Sequence, residues 1–241
     1  MSHSAISLGL GLGGGKSATS SGSPGGGAAF SNGASVRFDG TNDYFKLASE
    51  ITFTGAFTFS IWVHPVSGNE GWISSGDSGS AGPWVDWYGA AYGNRLVINN
   101  MGNISGAHGS MVPGTWYHTV IIRDGSNVMK AYQNGSQVGS DSSFSGTAEF
   151  SHFAARADGP ATFLNGYLDE IAFWNSDQTS NLSAMSDSGA AADLSGLSPT
   201  HWYRMGDING SSGVTITNQG SGGSNDGTLV NGPTYSTEVP S

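Results

Sequence analysis

Apolar and polar residues alternate with period two along most of this chain. Phe57, Phe59, Ile61 and Val63 are separated by Thr58, Ser60 and Trp62, which predicts a strand with two differently packed faces. Residues 34–45 read as strand, tight turn, strand, with Asp39-Gly40 and Asn42-Asp43 supplying the turn. Residues 72–75, 84–88 and 95–98 are further short strands, and residues 116–123 form a longer apolar one after Pro113-Gly114. Asp124-Gly125 and Asn134-Gly135 are hairpin turn signals. Such regular hairpins predict antiparallel meanders, not parallel βαβ units. Residues 177–197 are the sole helical candidate, and Gly189 and Gly196 limit any helix there to short pieces. Trp62, Trp116 and Trp174 are expected in the core.

The first 33 residues differ. Ile6, Leu8, Leu10 and Leu12 alternate with Ser and Gly, and residues 16–27 are rich in Gly and Ser. This predicts an extended strand-like arm on a flexible tether, followed by a sandwich over residues 34–241. The arm is expected to order against a neighbouring subunit, because an isolated short strand buries too little to offset its ordering entropy. Gly15-Lys16-Ser17 is not a phosphate loop, because the Gly required five positions before Gly15 is Leu10.

Composition narrows the picture. Thirty-nine glycines and 11% charged residues would suit disorder, but seven Trp, eight Tyr and eleven Phe argue for a packed all-β fold. With eight basic residues against eighteen acidic and a net charge of −10, a nucleic-acid footprint and an affinity for anionic membranes are both excluded. There is no cysteine, which favours a bacterial or viral source over a secreted animal module. No apolar run suits a membrane span, and the N-terminus does not read as a signal peptide.

Residues 34–45, Trp116 to Val120, Asp124-Gly125-Ser126, 131–135 and the segment Phe163-Leu164-Asn165-Gly166-Tyr167-Leu168-Asp169-Glu170-Ile171-Ala172-Phe173-Trp174 occur in an order that resembles the laminin-G-like jelly roll of the concanavalin A-like lectin and glucanase superfamily. The resemblance implies an antiparallel jelly-roll β-sandwich that binds glycans or proteins. In many such proteins a Trp-containing strand and a Gly-Thr-Leu-x-Asn-Gly-Pro strand precede the module. Here the similar segments, 201–207 and 227–233, follow it. Either the domain is circularly permuted or these strands pack on a neighbouring copy, and permutation is the simpler case.

Glucanases of this superfamily carry two Glu and an Asp on one strand, as nucleophile and acid. The five Glu here are Glu50, Glu70, Glu149, Glu170 and Glu238, too far apart in sequence for that strand. Asp169 and Glu170 are adjacent, so a regular strand would point them to opposite faces. A non-enzymatic protein is expected, with a glycoside hydrolase or lyase as the remote alternative.

The resemblance implies a metal near the turns. Asp39, Asn42 and Asp169 are the expected calcium ligands, since calcium takes six or more oxygens. Asp77, Asp86 and Asp158 form a weaker second set. For sugar binding the candidates are Trp72, Trp84, Trp87, Tyr88 and Tyr92 as stacking faces, with Asp86 as a hydrogen-bonding group, in a Gly-rich stretch. Trp84 and Trp87 lie three apart, so they face opposite sides of a strand.

The arm, the missing cysteine and the segment Trp202-Tyr203-Arg204-Met205-Gly206-Asp207 also resemble laminin-G-like virion proteins of tailed phages. This implies a capsid decoration, head-fibre or tail-appendage subunit on the virion surface. It implies a homo-oligomer, with a trimer favoured, held to other virion proteins through its arm and presenting its sandwich to cell-surface glycans. The alternative is a free extracellular bacterial lectin.

Overall fold

The computed structural model describes residues 30–68, 70–76, 84–99, 108–157, 162–208 and 210–241. Residues 1–29 of the expected arm and tether lie outside them, as do Asp77 and Asp158.

Two antiparallel sheets pack face to face. In chain order the first strands are β1 (Ser35–Asp39), β2 (Tyr44–Phe53), β3 (Phe57–Pro65), β4 (Glu70–Ser75), β5 (Trp84–Tyr88), β6 (Arg95–Asn99) and β7 (His108–Ser110). They are followed by β8 (Tyr117–Arg123), β9 (Val128–Gln133), β10 (Ser136–Ser143), β11 (Ala148–Phe153) and β12 (Asn165–Trp174). The C-terminal part adds β13 (Ser186–Asp187), β14 (Ala190–Ala191), β15 (His201–Tyr203), β16 (Thr215–Ile216), β17 (Gly227–Val230) and β18 (Thr234–Ser236). One sheet runs β10-β9-β8-β3-β12-β1-β18, with β15 also on β12. The other runs β16-β17-β2-β11-β4-β5-β6-β7.

The alternation of β3 sends Phe57, Phe59, Ile61 and Val63 into the space between the sheets, where Phe53, Phe150, Phe153 and Phe173 meet them. Phe59 lies 4.9 Å from both Phe150 and Phe173, an aromatic centre contributed by both sheets. The strands after residue 200 belong to this same sandwich. Leu229 pairs with Phe45, Tyr235 with Val36 and Trp202 with Ala172. The close fit of β17 on β2 needs glycine, because a Cβ at Gly227 would stand 2.1 Å from the Phe45 ring.

The other face of β8 and β12 is covered too. Val120, Ile122, Trp174 and Trp202 pack against Met185 and Leu194, and the Trp174 indole donates to the Leu197 carbonyl at 2.9 Å. The covering segment is not an α-helix. It consists of 3-10 turns at Thr179–Ala184 and Ser195–Leu197, flanking the β13–β14 hairpin. Trp62 and Trp174 are buried as expected, whereas Trp116 is half-buried.

Residues 30–33 pack on the sandwich. Phe30 stacks on Trp202 and lies under the Arg204 guanidinium. The Asn32 amide donates to Asp169, and the Gly33 N–H donates to Asp207.

Candidate functional site

Alternation also decides what the outer face of the second sheet carries. Phe45 and Phe153 turn inward, so Tyr44, Lys46 and His152 turn outward. Lys46 is opposite His152, and His152 is opposite Ser75. Further across, Val85 and Trp87 point inward, leaving Asp86 and Tyr88 outside.

The expected sugar-stacking residues therefore divide. Trp87 is a core residue, fully buried, with its indole N–H on the Met111 carbonyl at 2.8 Å. It presents no face to a ligand. Asp86 is buried on the outer face, level with the backbone of Trp72. Tyr88 is half-buried and meets Tyr92 edge-on at 5.3 Å, with Arg95 5.7 Å above its ring. Tyr92 is 51% exposed. Trp72 and Trp84 stand opposite Asp86 and Ser75 in the register, and their side chains lie outside what the structure describes.

The expected calcium ligands do not converge. Strands β1 and β12 are neighbours, but Asp39 pairs with Asn165 and Val36 with Leu168. Asp169 is thus four positions from Asp39 along the sheet, roughly 13 Å at strand rise. One Asp39 oxygen accepts the N–H groups of Thr41 and Asn42, which hold its carboxyl below the ordinary range. Asn42 is exposed in the same turn. Asp169 is fully buried and bonded to Asn32 and to the Glu170 N–H. This donor set does not fit one calcium ion, and no cluster of three metal-binding side chains occurs among the described residues.

Asp169 belongs instead to a buried charge network. A bulge between Asp169 and Ala172 puts Glu170 at φ +45°, which swings it from the expected opposite face into contact with its neighbour's surroundings. Glu170 accepts from the Trp202 indole and, at 3.1 Å, from Arg204. Arg204 also pairs with Asp207 at 2.9 Å. Burial pushes Glu170 up to about 7 and raises Asp169 well above the ordinary carboxylate range, the Glu170 charge adding to the effect on Asp169. The carboxylates of Asp169, Glu170 and Asp207 and the Arg204 guanidinium all have partners within the chain, so the network is structural.

One concave feature with mixed chemistry is a cavity of about 300 Å³ where three turns meet. Thr41 and Asn42 come from the β1–β2 turn, Ala155, Arg156, Ala157 and Phe163 from the β11–β12 connection, and Asn231 from the β17–β18 turn. Tyr44 and His152 form its floor, their rings 5.7 Å apart. The turns are tied together. Asn231 donates to the Asn42 carbonyl at 2.8 Å. Ser75 donates to the Ala155 carbonyl and accepts the Ala157 N–H. Ala154 holds a positive φ of 65°, and Leu164 N–H bonds its carbonyl, so the loop leaves the sheet at a fixed angle. Of the expected site residues, Asn42 alone lines this cavity. The amides offer donors and acceptors, the guanidinium a planar fork, and the rings apolar surface, in the few-polar, partly apolar mixture of small-ligand sites.

A jelly-roll sandwich with a preformed polar–aromatic cavity at its turn rim is the class that fold and site define. The chain belongs to the concanavalin A-like lectin/glucanases superfamily, whose family model matches residues 39–184. Among solved structures it is similar to a putative carbohydrate binding protein from Bacteroides ovatus, at 16% identity and a TM-score of 0.63, covering 88% of this chain. The chain spans 62% of that protein's length. It is also similar to the heptameric SAP-like pentraxin of Limulus polyphemus, at 17% identity and a TM-score of 0.51, covering 64% of this chain and 82% of the pentraxin. No curated protein matches. At these identities the likeness to solved structures is one of fold.

Proposed function

We propose that this protein is a non-catalytic, lectin-like recognition module that holds a sugar unit in the cavity between Tyr44, Asn42 and Asn231. The observation that carries this is the cavity's composition: amide side chains beside aromatic surface, preformed by turn-to-turn hydrogen bonds. Sugars offer hydroxyls for the amides and a C–H face for the rings, and a preformed site costs little ordering on binding. The Bacteroides protein's description supports the same reading. A hydrolytic reading needs two facing carboxylates, and among the described residues no Asp or Glu lines the cavity. Glu170 is spent on Trp202 and Arg204.

The expected result is binding of a subset of oligosaccharides on an array, without release of shorter products. Tyr44→Ala and Asn231→Ala should each weaken the bound sugar about tenfold or more, on the scale of a lost buried contact or hydrogen bond. Unchanged affinity in both, measured by titration calorimetry on folded variants, would remove the cavity from the reading.

The setting we propose is the surface of a virion, as an oligomeric appendage anchored by the N-terminal arm. Its support is the resemblance in sequence and the alternation of Ile6, Leu8, Leu10 and Leu12. Deleting residues 1–15 should leave the melting midpoint of the sandwich within a few degrees and abolish oligomerisation in light scattering. Normal assembly of the shortened chain would defeat the anchoring role.

A further inference from the structure

We propose that residues 30–33, the stretch through which residues 1–29 join the sandwich, form a proton-dependent latch. The stretch docks while one proton sits between Asp169 and Asn32, and it lets go when that proton leaves. The latch concerns attachment and is independent of what the cavity binds.

Four successive residues each grip a member of the buried charge network or the indole beside it. Phe30 stacks on Trp202 and lies 4.5 Å from the Arg204 guanidinium. The Ser31 carbonyl accepts from Arg204 Nη2. The Asn32 amide donates to Asp169 Oδ2 at 3.0 Å, and the Gly33 N–H donates to Asp207 at 2.9 Å. A change in the charge balance of the network therefore acts directly on this attachment.

That balance is uneven. Glu170 and Asp207 both pair with Arg204. Asp169 is fully buried, and its partners are the Asn32 amide and the Glu170 N–H, with no cation among the described residues. The neighbouring strands supply no charge. Trp62 stands opposite Asp169 on β3, and Gly33 runs into Ala34 and Ser35 at β1. His118, beyond Trp62, is bonded to Ser60 and held neutral by burial. Asp193 is exposed at the rim and accepts the Ser195 N–H. A buried carboxylate without a counter-charge takes a proton instead.

A second observation locates that proton. Asn32 Oδ1 is buried and has no donor among the described residues, which is costly for an amide oxygen. A protonated Asp169 supplies the donor. The Asn32 N–H goes to the carboxyl, and the carboxyl O–H returns to the amide oxygen. Turning the amide over moves the demand without removing it, because Oδ1 would then face Asp169 Oδ2 and need the proton there.

The sign follows from burial. Docking takes water away from Asp169, and burial together with the Glu170 charge raises its proton affinity. With the stretch lifted, water reaches the carboxyl and it ionises nearer its ordinary range. Docking thus takes up a proton, so it is favoured at low pH and lost as pH rises through the raised value. Glu170 has Arg204 beside it and ionises first, at about 7. Its charge then holds the Asp169 proton harder, which places release above that pH.

The chain has no cysteine and Ser31 is exposed, so Ser31→Cys in the full chain takes a single spin label whose line shape reads docking. The docked-to-released ratio should fall about tenfold per pH unit above roughly pH 7, the slope of one proton. Asp169→Asn replaces the proton with a permanent N–H donor, so its label should stay restrained to about pH 9.5. Asn32→Ala should free the label at every pH and leave the melting midpoint of the sandwich within a few degrees. The carbon-13 shift of the Asp169 carboxyl reads the proton directly, without a variant at the network. Three results each overturn the latch: an Asp169 carboxyl ionised at about pH 6, a label equally restrained across the whole range, or Asp169→Asn releasing like the unaltered protein. A label that stays restrained in Asn32→Ala does so too.

Discussion

Replacing Arg123 with methionine is expected to lower unfolding stability by about 2 to 4 kcal/mol. Arg123 ends β8 and is fully buried. Its Nε, Nη2 and Nη1 donate to the carbonyls of Gly55, Phe53 and Gly146 at 2.5–2.8 Å. Its guanidinium also lies 5.2 Å from Phe57 and 5.4 Å from Phe144. One side chain thus closes the β2–β3 turn and fixes the entry to β11. Methionine replaces the stem and leaves the buried Phe53 carbonyl without its donor, while water can reach the partly buried Gly55 and Gly146 carbonyls, and a hydrogen bond to a charged group is worth about 1.5 to 3 kcal/mol. Lysine should restore less than half of the loss, because an ammonium cannot span the fork. Urea unfolding with an unchanged m-value measures it. A loss under about 1 kcal/mol for the methionine variant would mean that water replaces the guanidinium and the residue is no keystone.

Nothing in the sequence marked Arg123, and the reason bears on how far such reading reaches. Period-two alternation made the strands and the inward faces of β3 legible, and turn residues placed the hairpins. Asn134-Gly135 does take the left-handed conformations its turn requires, with φ of 49° and 78°. Alternation stated that Trp84 and Trp87 face opposite ways, but which of them faces inward depends on the partner sheet. That β1 and β12 neighbour each other was implicit in grouping Asp39 with Asp169 as ligands of one ion. Their register, which separates Asp39 from Asp169, was not, because register is set by the pairing of whole strands. The bulge at Glu170 escaped for a related reason, since an extra residue reads like any other until its partner strand is known. The cavity joins Thr41, Asn42 and Tyr44 with His152, residues 155–157, Phe163 and Asn231, and only the closed fold brings these turns together. The available signal was compositional: Arg156 is one of eight basic residues in an acidic chain.

Acidification should divide two buried titrating groups by sign, and this is the second large effect. Glu170 ionises at about 7 in the fold against 4.5 ordinarily, because burial outweighs its bonds to Arg204 and Trp202. Between those values the folded state holds a proton that the unfolded chain has lost. Stability contributed by Glu170 therefore rises as pH falls from 7 to 4.5, by about 3 kcal/mol at 1.36 kcal/mol per unit. Asp169, raised by the same burial, has the same sign. His118 works in the opposite direction. It is stacked 4.9 Å from Trp62 and bonded to Ser60, and burial lowers it from 6.5 to about 4. Between 6.5 and 4 the unfolded chain binds the extra proton, so stability falls as pH drops through that window, again by about 3 kcal/mol. The two offset each other from 6.5 to 4.5, and the unaltered protein should be at least as stable at pH 5 as at pH 7.5. His118→Gln should melt lower at pH 7.5 but gain stability on going to pH 5. Glu170→Gln should shift the pH slope the other way, losing about 3 kcal/mol relative to the unaltered protein across the same interval. Denaturant unfolding at both pH values reads each slope. Identical slopes for the two variants would show that neither buried group titrates where its surroundings place it.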